Sequence, residues 1–314
     1  MALAPRARTV RFFAPSFKHY ESTEFPTTGH RCDFAAISVT GQSCRLACDH
    51  CRGILLGSME EARSPRALLD LARRLRAEGC SGILLSGGAD LDGRVPLLPF
   101  VDAMAEIREA LGMIVLAHAG IVTRGLAEGL ARARIECAMV DVIGSTETLV
   151  AACNLDVGVA GIEGSLRLLA ESGIRTVPHV VAGLDHGRIV GERTAIDMAA
   201  RHAPSALVLV VLTPLPGTPM CDATPPAPIE VASLIGYARS VLAPDTPILL
   251  GCARPGGLYR REIDRLALEA GIDGIAFPAE GTVSRARAMG LEISFHTTCC
   301  AVATPASIGC AGRR

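Results

Sequence analysis

Three cysteines stand within eight residues in the segment GQSCRLACDHC: Cys44, Cys48 and Cys51, spaced C-x3-C-x2-C. Thiolates are soft ligands, and three on one short loop read as a metal site rather than as core packing. Three thiolates can hold three irons of a cubane cluster and leave the fourth iron open, whereas a structural zinc site is closed by four ligands. The bland alternative is a zinc site that borrows His50 as its fourth ligand.

A second set of thiols lies far along the chain. Cys252 sits in LLGCARPGG, and Cys299 and Cys300 stand together in FHTTCC. These three are candidates for a second iron-sulfur cluster, although adjacent cysteines are awkward ligands for one cubane; a surface thiol pair and a redox-active vicinal disulfide are the alternatives. The chain has 12 cysteines, and a reducing cytoplasm argues against a disulfide framework. Cys80, Cys137 and Cys153 read as small core residues. Cys32 precedes the first expected strand, Cys310 lies in the tail, and Cys221 is a reserve ligand.

The elements that must position these residues follow a βα rhythm. Short apolar, often β-branched runs predict strands near residues 34–40, 82–87, 113–118, 137–143, 176–182, 206–212, 246–251 and 273–277. Helical segments are expected near 62–79, 97–111, 122–134, 158–173, 189–203, 228–242, 258–271 and 281–290, several ending on a glycine such as Gly79 or Gly112. Eight such units predict an α/β fold, a (β/α)8 TIM-type barrel with a short C-terminal extra strand and tail, its chemistry on the C-terminal ends of the strands. The expected boundaries are a leader at 1–33, the barrel at 34–290, and a cysteine-bearing strand and tail at 291–314. The first cysteine loop follows strand one and Cys252 ends strand seven. An added strand in LEISF can carry Cys299 and Cys300 back to the same rim.

Composition excludes several classes. Lys plus Arg (31) balance Asp plus Glu (32), and no basic run interleaves with aromatics, so nucleic acid is not an expected partner. Apolar runs are short and interrupted, and the segment MALAPRARTVRFF has no signal-peptide pattern, so no membrane partner and a cytoplasmic location are expected. Lys18 is the sole lysine, which leaves Schiff-base chemistry without a barrel candidate.

The cysteine loop after the first strand resembles that of the radical S-adenosylmethionine (SAM) superfamily. The resemblance implies that the open iron of a [4Fe-4S] cluster chelates SAM and that one electron cleaves it to methionine and a 5'-deoxyadenosyl radical. LLSGGAD puts Ser86, Gly87, Gly88 and Ala89 where that superfamily carries a Gly-Gly-Glu-like motif. The backbone of Gly87 to Ala89 is thereby assigned to the SAM amino group, with Ala89 in place of the acidic residue. His50 stands where an aromatic residue usually precedes the third cysteine, beside the adenine. Asp141, Ser145 and His179, with His118, Asp185 and His186, are candidates for ribose and carboxylate contacts; each is equally readable as a satisfied loop group. LTPLPGTPM resembles the same region of biotin synthase, and reads otherwise as a Pro-Gly turn at Gly217.

Longer stretches, among them FAAISVTGQSCRLACDHCRG, VPHVVAGLDHGRIVGE and LLGCARPGGLYRREIDRLALEAGIDGIAFPAEGT, resemble a biotin-synthase-like group that includes subunits of the archaeal-type two-component lipoyl synthase. The likeness spans roughly residues 34–300. It implies a sulfur-insertion enzyme acting at C6 or C8 of an octanoyl chain on a lipoyl carrier domain, with the second cluster on Cys252, Cys299 and Cys300 as the sulfur donor. A second radical SAM subunit and a low-potential electron donor such as ferredoxin or flavodoxin are the implied partners. Arg254 would be a cluster ligand or a SAM contact, or else part of a capping salt bridge. Two other readings stand beside this: a radical SAM rearrangement or cofactor-maturation enzyme without sulfur donation, and a non-catalytic metal-binding or redox scaffold.

Overall fold

The computed structural model describes residues 8–17, 19–26 and 32–302. Cys310, the tail beyond residue 302, Lys18, and residues 1–7 and 27–31 of the expected leader lie outside the described residues. Eleven strands form one sheet: β1 (Thr9–Phe13), β2 (Phe34–Ser38), β3 (Glu60–Glu61), β4 (Gly82–Ser86), β5 (Ile114–His118), β6 (Cys137–Asp141), β7 (Thr176–Ala182), β8 (Leu207–Val211), β9 (Ile248–Leu250), β10 (Gly274–Ala276) and β11 (Glu292–His296). Their order is β11-β1-β10-β9-β8-β7-β6-β5-β4-β2-β3, and every pairing is parallel. Central strands such as β8, LVLVV, are buried at every position, as expected for a parallel sheet covered on both faces.

Helices cover the outer face. The one at Pro65–Ala77 shows why: Ser64 caps it by accepting from the Ala67 N–H, Pro65 suits its first turn, and Leu68, Leu71, Ala72 and Leu75 form one buried stripe. The eight expected strands are all present as β2 and β4–β10, and the extra strand in LEISF is β11. No single helix among the described residues is long and apolar enough to cross a membrane.

Two differences from the sequence reading matter. The run TVRFF in the expected leader is strand β1, wedged between β10 and β11, with Val10 and Phe12 buried on the helix side and Phe13 on the inner side. The α/β sheet is also an open, curled half-barrel and not a closed (β/α)8 barrel: among the described residues no ladder joins β2 or β3 to β1 or β11. The reason lies in the first difference, because β1 takes the flank of β10 that β2 would need for closure. The curl is still deep. Phe13 of β1 and Phe34 of β2 share one buried cluster with Leu116, Met139, Val208 and Leu249. Ser16 bridges the seam, its Oγ accepting from the Asp33 and Phe34 N–H groups at 2.8 and 2.9 Å and donating to the Phe34 carbonyl at 3.0 Å.

Candidate metal and cofactor site

The loop after β2 is held in a conformation that side chains disfavour. Ala47, just before Cys48, and Arg52, just after Cys51, both have left-handed backbones (φ 49° and 47°). Such residues persist when the surroundings hold them. Here the hold comes from a short helix at Thr146–Cys153, which the sequence reading missed. Asn154, which ends it, donates to the carbonyls of Leu46 and Ala47 at 3.2 and 2.9 Å, and the Asp49 N–H donates to the Ala152 carbonyl at 2.8 Å. The signal was present in Cys-Asn-Leu, since Asn is a common left-handed helix stop.

The other wall is the Gly-Gly turn that follows β4. The Gly88 N–H donates to Thr40 Oγ1 at 2.7 Å, and the Arg45 N–H donates to the Ala89 carbonyl at 2.8 Å. A Cβ on Gly88 would lie 1.9 Å from the Ser43 carbonyl oxygen and 2.5 Å from Cys44 Cα, so only glycine lets the two loops touch. Ala89 O is already occupied. Among the described residues the carbonyls of Gly87 and Gly88 have no protein donor, which leaves them as the acceptors an ammonium group would find.

Cys48 Sγ donates to the Cys153 carbonyl at 3.3 Å, and burial pushes the Cys51 thiol up to about 11. Thiols of this kind are costly to ionise without a nearby cation, and a metal supplies one. Among the described residues His50 Nδ1, which is buried, has no hydrogen-bond partner. One compact group of ligand atoms, on Cys48, His50 and Cys153, lies within 4.8 Å of one another, the separation suited to a single ion with bonds near 2.3 Å. Cys44 and Cys51 stand outside that group, and the Cys51 thiol lies within electrostatic reach of both Cys44 and Cys48. The donor set therefore fits a soft metal centre.

Deeper in the mouth, His118 Nε2 lies 3.5 Å from Asp141 Oδ1, and the His118 and His179 rings meet edge to face at 5.4 Å. Asp141 is wetted, with its side chain 49% exposed, yet walled by protein. The walls push its carboxyl up, but His118, with His179 and His50 nearby, holds it down at about 2. Burial, with His118 alongside, pulls His179 down to about 4. Cys299 and Cys300 are buried in the inner cluster, and Cys252 packs against the same cluster. A hydrogen bond from Cys300 holds the Cys299 thiol low and pushes that of Cys300 up. The turn at Cys300–Val302 packs against both β6 and β10, spanning the curl from within. Asp141 lies within electrostatic reach of Cys48 and Cys51, and His118 within that of Cys299, while Cys299 and Cys300 themselves are closed in the core.

Several expectations change. Ser145 is the N-cap of the missed helix: its Oγ accepts from the Thr148 N–H at 3.1 Å and donates to Glu147 at 3.0 Å, so its hydroxyl is committed to local structure and is withdrawn as a SAM contact. Arg254 is neither a cluster ligand nor an anion contact. It is buried at 2% exposure, and its five donors go to Asp264 and to the carbonyls of Gly251, Ala276 and Phe277. Cys221 is exposed beside Asp222 and is not brought to the mouth. Asp185 pairs with Arg188, and Gly217–Thr218 form a turn closed on Leu215. Cys137 and Cys80 are core thiols, whereas Cys153, also expected in the core, is buried but borders the cysteine loop.

No family model matches the chain, and no curated protein resembles it closely enough in sequence to count as a relative. Solved structures match it in fold. Methylornithine synthase (PylB) has a TM-score of 0.54 at 14% identity, over 83% of this chain and 82% of that one. HydG, a maturase of the [FeFe]-hydrogenase, has a TM-score of 0.61 at 13% identity, over 91% of this chain and 64% of HydG. SuiB of Streptococcus suis, solved with bound S-adenosylmethionine, has a TM-score of 0.53 at 11% identity, over 74% of this chain and 51% of SuiB. The chain therefore spans less than two thirds of HydG and about half of SuiB.

Proposed function

We propose that this chain, which has the fold shared by the radical SAM enzymes, holds a [4Fe-4S] cluster on Cys44, Cys48 and Cys51, binds SAM beside it, and inserts sulfur into an unactivated carbon chain. The observation that carries the reading is the clamp between the cysteine loop and the Gly88 turn at the C-terminal edge of the sheet. A cluster held there by Cys44, Cys48 and Cys51 would supply the electron that cleaves SAM to methionine and a 5'-deoxyadenosyl radical. The carbonyls of Gly87 and Gly88 receive the SAM ammonium group, and Ala89 sets the turn. His50 lies beside the adenine. Asp141 and His179 face the mouth and meet the ribose and carboxylate. The curled sheet keeps water from the reacting carbon.

Cys252, Cys299 and Cys300 would hold a second iron-sulfur cluster that supplies sulfide. The substrate of this reading is the octanoyl chain of a lipoyl carrier domain, attacked at C6 or C8, with a second radical SAM subunit and a ferredoxin or flavodoxin as partners. The domain limits at 33 and 290 belong to the same reading, with β1 joined to the core. A rearrangement or cofactor-maturation reaction without sulfur donation is the second reading, favoured by the burial of Cys299 and Cys300 in the inner core.

Iron and acid-labile sulfide per chain, with Mössbauer spectra, separate the two after anaerobic reconstitution of the wild type and of a Cys252→Ala, Cys299→Ala, Cys300→Ala variant. Sulfur insertion expects about eight irons in the wild type and about four in the variant. About four in both removes the second cluster and leaves the radical reaction alone. Zinc in place of iron, with no 5'-deoxyadenosine formed from SAM and reductant, overturns both.

A further inference from the structure

At the end of the sheet opposite the cysteine loop, two other thiols meet. Cys32 Sγ and Cys80 Sγ stand 3.0 Å apart, about 1 Å beyond a disulfide bond of ~2.04 Å. The strand register explains the meeting. Phe34 pairs with Gly82 in the β2·β4 ladder, and the Ser81 N–H donates to the Asp33 carbonyl at 2.9 Å, so the register runs on to set Cys32 opposite Cys80. Neighbouring strands lie about 4.8 Å apart, within the Cα separation that a disulfide spans. Cys80 is buried and Cys32 is part-exposed. Small molecules thus reach Cys32 and not Cys80.

This is also a place where the sheet has a ladder on one side only among the described residues. Among the described residues β3 pairs only with Ile37 and Ser38, so the first half of β2 has a ladder on one side, and Ser16 hydrogen-bonds its other side. β2 carries the cysteine loop and β4 carries the Gly-Gly turn. A covalent tie at their starts would hold together the two strands whose far ends build the site.

We propose that Cys32 and Cys80 are a redox-sensitive pair that closes to a disulfide with low-molecular-weight disulfides such as oxidised glutathione and staples the start of β2 to β4. The Cys32 thiolate attacks one glutathione sulfur, forming a mixed disulfide and releasing one glutathione thiolate. The Cys80 thiolate then attacks Cys32 Sγ and expels the second. Two protein thiols lose two electrons and two protons, and one glutathione disulfide becomes two glutathiones. The inference does not rest on the proposed function, because the pair lies outside the metal site.

The test treats the full chain, anaerobically reconstituted, with oxidised glutathione, blocks remaining thiols by alkylation, and maps the cysteines by mass spectrometry with fragmentation that separates Cys32 from Cys44. The expected result is a cross-linked pair of peptides containing Cys32 and Cys80, reversed by dithiothreitol, and absent in Cys80→Ser, where Cys32 carries glutathione instead. Hydrogen exchange of Phe34–Ser38 should slow several-fold in the oxidised wild type, a readout that needs no variant to fold. Both thiols alkylated, or glutathione retained on Cys32 of the wild type, overturns the pair. A cross-link that leaves exchange of β2 unchanged overturns the staple.

Discussion

Arg254 and Asp264 form an ion pair from which water is excluded, with every guanidinium donor satisfied. Removing one partner of such a pair strands a buried charge and costs about 3–5 kcal/mol. Asp264→Ala is therefore expected to lower unfolding free energy by that amount in denaturant titration while SAM affinity of whatever protein folds stays unchanged; a loss of SAM affinity alone would return Arg254 to the site. The sequence placed Arg254 beside Cys252, and nothing local distinguished a strut from a ligand. Its partner lies 10 residues on, and of its carbonyl acceptors Gly251 is three residues back while Ala276 and Phe277 lie on β10 and just after it. His118 and Asp141 are a different kind of pair. Burial pulls His118 down, but Asp141 outweighs it and raises the imidazole above its ordinary value. The His118 contribution to stability is present below the unfolded value near ~6.5 and is lost as pH rises through the folded value. Asp141, held down at about 2, contributes above its unfolded value near ~3.9 and loses that as pH falls through about 2. The pair thus works best between those two ordinary values. Asp141→Asn should move the His118 titration down, read from ring-proton shifts of the metal-free protein; an unmoved titration would mean that the pair does not form in solution.

The helix at Thr146–Cys153 is the element on which the cysteine loop leans. Asn154→Ala deletes two hydrogen bonds and puts alanine at φ 54°, a change worth about 1–2 kcal/mol, and iron per chain after reconstitution should fall with it. Ser145→Ala removes the cap at the other end for about 1 kcal/mol and should leave SAM affinity intact. Equal iron in wild type and Asn154→Ala would show that the loop stands without the helix. Eight strands were legible because each is a compact apolar run bounded by turn residues, and the cysteine loop was legible from spacing alone. The short helix was not, since Thr146–Cys153 lies between the expected strand at 137–143 and the single helix expected at 158–173, and carries little amphipathic pattern to mark it. β3, only two glutamates long, has no strand signature at all.

Closure of the whole sheet is a long-range property, and the local periodicity that reveals strands does not say which edges meet. The alternation in TVRFF marks a strand, but its place depends on β10, far along the chain. Ser16→Ala tests how much the seam matters: it removes three hydrogen bonds where β1 meets β2, and exchange of the Asp33 and Phe34 amides should rise toward that of an unpaired edge. Protection equal to wild type would mean that the curl holds without the bridge. The position of β1 also bears on how the molecule is made. Arg11 pairs with Gly274, a separation of 274 − 11 = 263 residues. Loop closure over such a span is paid for before its contacts are rewarded, so this pairing comes late. A chain leaving the ribosome N-terminus first releases β1 well ahead of β10. Over that interval an apolar strand waits without its neighbours, and the emerging chain stays exposed to capture by chaperones until β10 and β11 follow.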